Sequence, residues 1–541
     1  MKHKNSFERL GVMIDCSRNS VLNAQTFKKL VDLLSAMGYN TVQLYTEDTY
    51  EVDNEPYFGY LRGRFSKAEL KAMDAYAADK GIELIPCVQT LAHVSQIFRW
   101  QPYLSVNDCD DILLAEDERT YQLVENIFAT LAECFTSRRI NIGMDEAHML
   151  GLGKYLNKHG FKNRFKIMLD HLKRVLAIAD KYGFRCAMWS DMFFRLAFDG
   201  EYYTDGVKEL PAEVLENLPD NVDLIYWDYY SLDKDHYRVM AAQHKKFGNN
   251  IIFAGGAWTW MGLTPNNRFS LAATKMAFDV CRGEGIKDVF LTMWGDNGGS
   301  CSPFSVLPAL FAASEYAKGN TDDESIKQKF QEFTGVPFDV YMYADLPDML
   351  TADQEVATKN PSKYLFYSDC LLGFLDSTIE KGAGEIYASH AAKLKEAESY
   401  QEWAFVFRPL RLLCEALHYK ADLGVRTREI YQSGDRAAML ELVNSTYSPL
   451  IEKVREFYAE FAAYWQKLFK PHGFDVMDIR LGGMIQRLLH VSQRLTAYAA
   501  GETDKIEELE EKLLDYFAGE IPEKSVTAFN IYARNATVNN L

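Results

Sequence analysis

The sequence predicts an α/β fold, a (β/α)8 barrel, followed by an α-helical C-terminal region. Three observations carry this expectation. Through residue 320 or so, short β-rich runs alternate with longer stretches of 3.6-residue apolar periodicity, and eight strands can be counted. No Gly-x-Gly-x-x-Gly or Walker-type string follows any strand, as an open nucleotide-binding sheet would usually advertise. Beyond that point strand-like runs disappear. The expected division is therefore a barrel over 1–320 and a helical region over 321–541, with the boundary in the Gly319–Asp323 turn.

The elements follow in order. Leu10–Cys16 reads as the first strand, and Ala24–Met37 as a helix stopped by Gly38. Thr41–Tyr45 is the second strand; Ser66–Lys80 is a helix with Ser66 as N-cap and Glu69 completing a capping box. Glu83–Val88, Arg139–Gly143 and Arg185–Trp189 are the next strands, separated by helices over Glu118–Phe135 and Arg164–Tyr182. Asp223–Trp227, Asn250–Ala254 and Asp288–Trp294 complete the eight, with helices near Asp235–Phe247, at Ser270–Gly283 and at Pro308–Ala317. In the C-terminal region, Tyr400–Tyr431, Asp435–Leu468, Asp475–Ala499 and Thr503–Phe517 have the spacing of long amphipathic helices.

Composition narrows the partners. With 59 Lys+Arg against 76 Asp+Glu, the net charge is −17, so no basic surplus exists to neutralise nucleic-acid phosphates or an anionic membrane. The nine cysteines are scattered, with no Cys-x-x-Cys pair, and read as buried thiols in a reducing compartment. There is no secretory leader pattern and no apolar run approaching ~18 residues. A cytoplasmic location is expected, with a homodimer through the C-terminal helices as one use for that region.

Catalytic groups of a (β/α)8 barrel gather at the strands' C-terminal ends. Those ends carry, in order, Asp15 and Arg18; Glu47 and Asp48; His93; Asp145 and Glu146; Trp189 and Asp191; Trp227 and Tyr229; Trp258 and Trp260; Trp294 and Asp296. A single strand-end Trp could simply plug the barrel mouth, but recurrence on four strands beside polar residues points to a sugar pocket. The sharpest string is Asn141-Ile142-Gly143-Met144-Asp145-Glu146, closing the fourth strand. Adjacent carboxylates repel, and burying either without a partner is costly, so this pair reads as functional. Two neighbours on one strand cannot bracket a sugar ~5 Å apart, as the acid and nucleophile of an ordinary retaining glycosidase do. One proton donor plus one orienting group suits a substrate whose own 2-acetamido oxygen is the nucleophile.

These residues resemble glycoside hydrolase family 20, the β-N-acetylhexosaminidases. That family closes its fourth strand with His-x-Gly-Gly-Asp-Glu, and Asn141–Glu146 matches three of its five fixed positions. Further landmarks keep their order: Arg18 after the first strand, Pro86 followed seven residues later by His93, Trp189-Ser190-Asp191 on the fifth strand and Trp294-Gly295-Asp296 on the eighth. The departures are the missing N-terminal α+β domain, Asn141 for His, Met144 for Gly, and Asp296 for Glu, which suggests a divergent branch.

The resemblance implies exo-acting, retaining hydrolysis of terminal β-linked N-acetylglucosamine or N-acetylgalactosamine through an oxazolinium intermediate. Glu146 would be the acid and base, and Asp145 would orient the acetamide. Arg18 and Asp296 would bind sugar hydroxyls, Tyr229 would donate to the acetamide oxygen, and Trp189, Trp227, Trp258 and Trp294 would wall the pocket. His93 and Asp48 would form a relay behind Glu146, with Asp191 in support. No metal or cofactor is implied. The competing expectations are an O-linked N-acetylglucosaminidase type of barrel and a non-catalytic sugar-binding barrel.

Overall fold

Eight parallel strands close into a barrel in a computed structural model that describes residues 6–350, 357–379, 381–519 and 528–541. They are β1 (Arg9–Asp15), β2 (Thr41–Tyr45), β3 (Glu83–Cys87), β4 (Arg139–Asn141), β5 (Arg185–Trp189), β6 (Val222–Trp227), β7 (Ile251–Gly256) and β8 (Asp288–Met293). Each pairs with its sequence neighbours, and β8 returns to β1 through Met293 opposite Ile14. β2 and β8 are buried at every position and β1 at six of seven, as a parallel sheet covered on both faces requires. That is why these strands read as apolar runs rather than as alternation.

Local signals set the helix ends. The Ser66 side chain accepts the Glu69 N–H and the Glu69 carboxylate accepts the Ser66 N–H, so two otherwise orphaned donors are satisfied reciprocally. Gly38 adopts φ 99°, a left-handed conformation that only glycine takes without strain, and its N–H closes the first helix onto Leu34 and Ser35.

β4 is shorter than the expected Arg139–Gly143. The strand stops because the Asn141 side chain accepts the Gly143 N–H at 3.0 Å and Gly143 turns to φ 74°. This early exit carries the chain inward to Asp145. After β3 the chain also forms a small hairpin, Asn107–Cys109 with Ile112–Leu113, that strand counting did not anticipate.

Two compact units make up the chain. One comprises Met1–Ala257, Leu271–Trp294 and Leu310–Thr321 and contains the barrel strands. The other comprises Trp258–Ser270, Gly295–Ala309 and Asp322–Leu541, so the segments after β7 and β8 group with the C-terminal helices. The expected helix over Tyr400–Tyr431 is two, Ala404–Lys420 and Leu423–Ser433. Asp435–Leu468 is helical with a π turn at Val443–Tyr447, just before Pro449, whose missing N–H interrupts the regular ladder. Thr503–Phe517 is helical only over Glu507–Glu510: the Arg428 guanidinium takes the carbonyls of Glu508, Leu509 and Glu511 that a longer helix would have used. Among the described residues, no helix is long and apolar enough to cross a membrane.

Candidate active site

The barrel interior beneath the strand ends is a packed layer of Met13, Tyr45, Cys87, Trp189, Ile225, Ala254 and Phe290. Above it the strand-end loops hold several residues in disfavoured backbone. Asn19, Glu47, His93, Met144 and Glu146 all have φ between 44° and 77°. Non-glycine residues rarely enter this region, and such strain, of order 1–3 kcal/mol each, concentrates at functional sites.

Asp145 and Glu146 leave β4 in different surroundings. Asp145 is buried: Gln89 Nε2 donates to its Oδ1 at 2.8 Å, and His93 Nε2 lies 3.3 Å from its Oδ2, an ion-pair contact rather than an aligned hydrogen bond. Burial works against the Asp145 charge, but His93 and Gln89 outweigh it and hold the carboxyl below its usual value. His93 shows the reciprocal effect. Burial alone would lower its pKa, yet Asp145 and Glu47 raise it to about 10, so it is an imidazolium at neutral pH. Glu146 is 40% exposed at its side chain and faces two cations, Arg195 Nη2 at 3.3 Å and His93 Nε2 at 3.8 Å.

The neighbouring strand fixes this arrangement. Asp191, fully buried after β5, accepts the Glu146 main-chain N–H at 3.1 Å and Arg195 Nε–H at 2.9 Å, both through Oδ2. Burial, and then the nearby Asp145 and Glu146 charges, push its pKa up to about 7, with Arg195 opposing. Arg195 lies four residues after Asp191 on the helix Asp191–Ala197, with its guanidinium 6.0 Å from the centre of the Trp227 ring. Sequence reasoning missed Arg195; its signal was the i, i+4 Asp–Arg spacing directly after a strand.

The first two strand ends supply a second cluster. Arg18 donates to Glu47, whose carboxylate also accepts the Tyr45 hydroxyl at 2.9 Å, and to Ser17 Oγ at 2.6 Å. Arg18 is thereby held at the rim with part of its guanidinium exposed.

Several expected placements change. Asp48 does not partner His93: it is buried against Arg62 at 3.3 Å, while His93 takes Asp111, with Nδ1 3.6 Å from Oδ2 and its main-chain N–H donating at 3.1 Å. The turn of the small hairpin delivers Asp111, and sequence reading had no means to see that. Trp189 is 1% exposed and belongs to the core layer, so it is the plug of the barrel mouth rather than a wall. Trp227 and Trp294 remain partly exposed; Tyr229 stacks on Trp227 at 5.2 Å and shares side-chain hydrogen bonds with Trp294 and Thr292. Trp258 and Asp296 belong to the second unit. There Trp258 is buried and stacked on Trp260 at 4.4 Å, and Asp296 interacts electrostatically with buried Lys363, which burial pushes down to about 7.

A closed (β/α)8 barrel carries adjacent carboxylates, an imidazolium and arginines at its C-terminal rim, the face where enzymes of this fold keep their active sites. Residues 7–245 match the family description "Glycosyl hydrolase family 20, catalytic domain", and residues 339–527 match "Glycoside Hydrolase 20C C-terminal domain". The chain is 22% identical to hexosaminidase D of Bos taurus over 342 residues, covering 57% of this chain and 92% of that protein. It is 23% identical to hexosaminidase D of Homo sapiens over 248 residues, or 42% and 47% of the two chains. A solved β-N-acetylhexosaminidase from Bacteroides fragilis superposes with a TM-score of 0.45 at 18% identity, covering 60% of this chain and 71% of its own. The chain belongs to glycoside hydrolase family 20 and is an enzyme of the β-N-acetylhexosaminidase kind.

Proposed function

We propose that the protein is an exo-acting, retaining β-N-acetylhexosaminidase in which the acetamide oxygen of the substrate attacks its own anomeric carbon. The observation that carries this reading is the pairing of two successive carboxylates with opposite surroundings. Asp145 is buried and held ionised by His93 and Gln89, while Glu146 reaches the open rim. An ionised, immobile carboxylate is suited to accept the acetamide N–H and stabilise the positive oxazolinium that forms. Glu146 then gives its proton to the departing oxygen and later takes one from the water that opens the ring. The strained backbone of Glu146, pinned by Asp191, sets its carboxyl at that task before substrate arrives.

Arg18, anchored by Glu47, is suited to the hydroxyls on the far side of the sugar, which an exo-acting enzyme must recognise as a chain end. Trp227 and Trp294 offer partly exposed aromatic surface to its C–H faces. Terminal β-linked N-acetylglucosamine or N-acetylgalactosamine on an oligosaccharide or glycoconjugate is the substrate class. No disulfide links any of the nine cysteines, eight of which are buried, and this supports a reducing, cytoplasmic setting.

The test is a panel of chromogenic β-linked N-acetylglucosaminide, N-acetylgalactosaminide and plain glucoside. Wild type is expected to cleave the acetamido sugars and leave the glucoside, and Glu146→Gln and Asp145→Asn to lose about 100-fold or more in kcat. Equal cleavage of the plain glucoside contradicts attack by the acetamide.

A further inference from the structure

Three aromatic rings on the rim loops of the barrel unit are open to solvent. Tyr57 and Tyr60, on the loop after β2, are each 43% exposed, and Trp100, on the loop after β3, is partly exposed. They form one cluster, with centroids 6.2 Å apart for Tyr57–Tyr60, 5.7 Å for Tyr57–Trp100 and 5.3 Å for Tyr60–Trp100. Exposed Leu61 and Leu104 lie on the same two loops.

The first loop is built to hold this position. Arg62 reaches back to Asp48, to Asn19 Oδ1 at 3.1 Å and to the Ser17 carbonyl, which ties the loop to the ends of β1 and β2. Gly59, at φ 63°, packs so closely on the Asp48 carbonyl that a Cβ would sit 2.0 Å from it. Leu61 also has φ 63°, a conformation disfavoured for a bulky residue, and is 67% exposed. Phe58 lies under the loop, edge-on to buried Tyr50 at 5.2 Å. A chain that accepts strain and still leaves apolar groups in water has not minimised its own folding energy there.

We propose that Tyr57, Tyr60 and Trp100 form a platform for the sugar residues of the substrate that lie beyond the bond being cut. The proposal rests on the hydrolase reading given above. The two loops that bear the rings also bear Glu47, Asp48 and His93, and His93 Nε2 lies 3.8 Å from Glu146 Oε2, the proposed acid at the bond being cut. A pyranose ring presents weakly positive C–H groups on its faces, and these pack on the electron-rich faces of aromatic rings. The rings meet at interplanar angles of 36°, 61° and 83°, so they present both faces and edges to solvent. A second copy of the protein is a poor fit, because a stable dimer uses roughly 20–30 residues a side, and this patch offers three rings and two leucines.

The experiment compares wild type, Trp100→Ala and a Tyr57→Ser/Tyr60→Ser double variant on two probes. One is a chromogenic β-N-acetylglucosaminide; the other is a β-1,4-linked tetrasaccharide of N-acetylglucosamine. The chromogenic probe places no sugar beyond the bond being cut, only a single aryl ring, so its kcat holds and its KM changes far less than that of the tetrasaccharide. The tetrasaccharide KM rises about fivefold or more while its kcat holds. An unchanged tetrasaccharide KM, or equal losses on both probes, overturns the platform. Loss of a dimer in the variants by light scattering assigns the patch to a second copy and overturns it as well. If wild type cleaves neither probe, the hydrolase reading fails by itself. Calorimetric binding of the tetrasaccharide then decides the platform: weaker binding to Trp100→Ala supports it, and equal binding overturns it.

Discussion

Asp191 Oδ2 accepts the main-chain N–H of Glu146 at 3.1 Å. A fully buried carboxylate just after β5 thus fixes the backbone of Glu146, the residue proposed to deliver a proton, beyond the end of β4. The same oxygen accepts Arg195 Nε–H, and the other end of that guanidinium lies 3.3 Å from Glu146 Oε1. Glu146 is therefore held from behind through its backbone and from the side through its carboxylate.

Arg195→Ala leaves Asp191 buried without its cation. Folding already raises the Asp191 pKa from 3.8 to about 7, so its contribution to stability is best below about 4 and is lost as pH rises through about 7. Without Arg195 the penalty for the charged form grows. The variant should lose about 2–4 kcal/mol against wild type at pH 8 and much less at pH 4.5, read by urea denaturation at both pH values. A deficit independent of pH contradicts this account.

His93→Gln tests the imidazolium. Its pKa rises on folding from 6.5 to about 10, so the stability it contributes is fully present below about 6.5 and disappears as pH climbs through about 10. Wild type should lose stability between pH 7 and 10 more steeply than His93→Gln does. The variant's kcat should fall about 10–100-fold, since Asp145 loses its counter-charge. Parallel stability curves would show that His93 is neutral in the folded enzyme.

Gly143→Ala strikes the support of Asp145. Gly143 sits at φ 74°, and an added Cβ would lie 2.1 Å from Gln89 Oε1 and 2.8 Å from the Val88 carbonyl. Gln89 cannot yield freely, because it accepts the Met144 N–H at 3.1 Å and donates to Asp145 and to the Tyr45 hydroxyl. The substitution should cost about 2–4 kcal/mol and lower kcat together with stability. Wild-type values for both, from denaturation and steady-state kinetics, would show that the turn relaxes without cost.

The barrel and the carboxylate pair were legible in the sequence for a physical reason. Strands buried on both faces must be apolar throughout, and a charged pair that ends such a run is conspicuous. The partners of the pair were not legible. Gln89 and Asp111 reach the site from the long connection after β3 and Arg195 from the helix after β5, and only the closure of the barrel brings them together. Asp48 had the right position for a relay but finds Arg62, which lies fourteen residues further along the same loop. Trp189 and Trp258 had the right residue type, but packing put them in the interior. At Thr503–Phe517 the amphipathic pattern was real, yet Arg428 competes for its carbonyls and wins.

Attack by the acetamide oxygen of the substrate is the central claim, and successive fluorination of the N-acetyl methyl group tests it most directly. Each fluorine withdraws electrons from that oxygen and leaves the leaving group unchanged. Measured on a series of chromogenic β-N-acylglucosaminides, kcat/KM should fall steeply from acetyl to trifluoroacetyl, by about 100-fold or more in total. A series in which kcat/KM stays level would mean that the nucleophile comes from elsewhere, and would contradict the account.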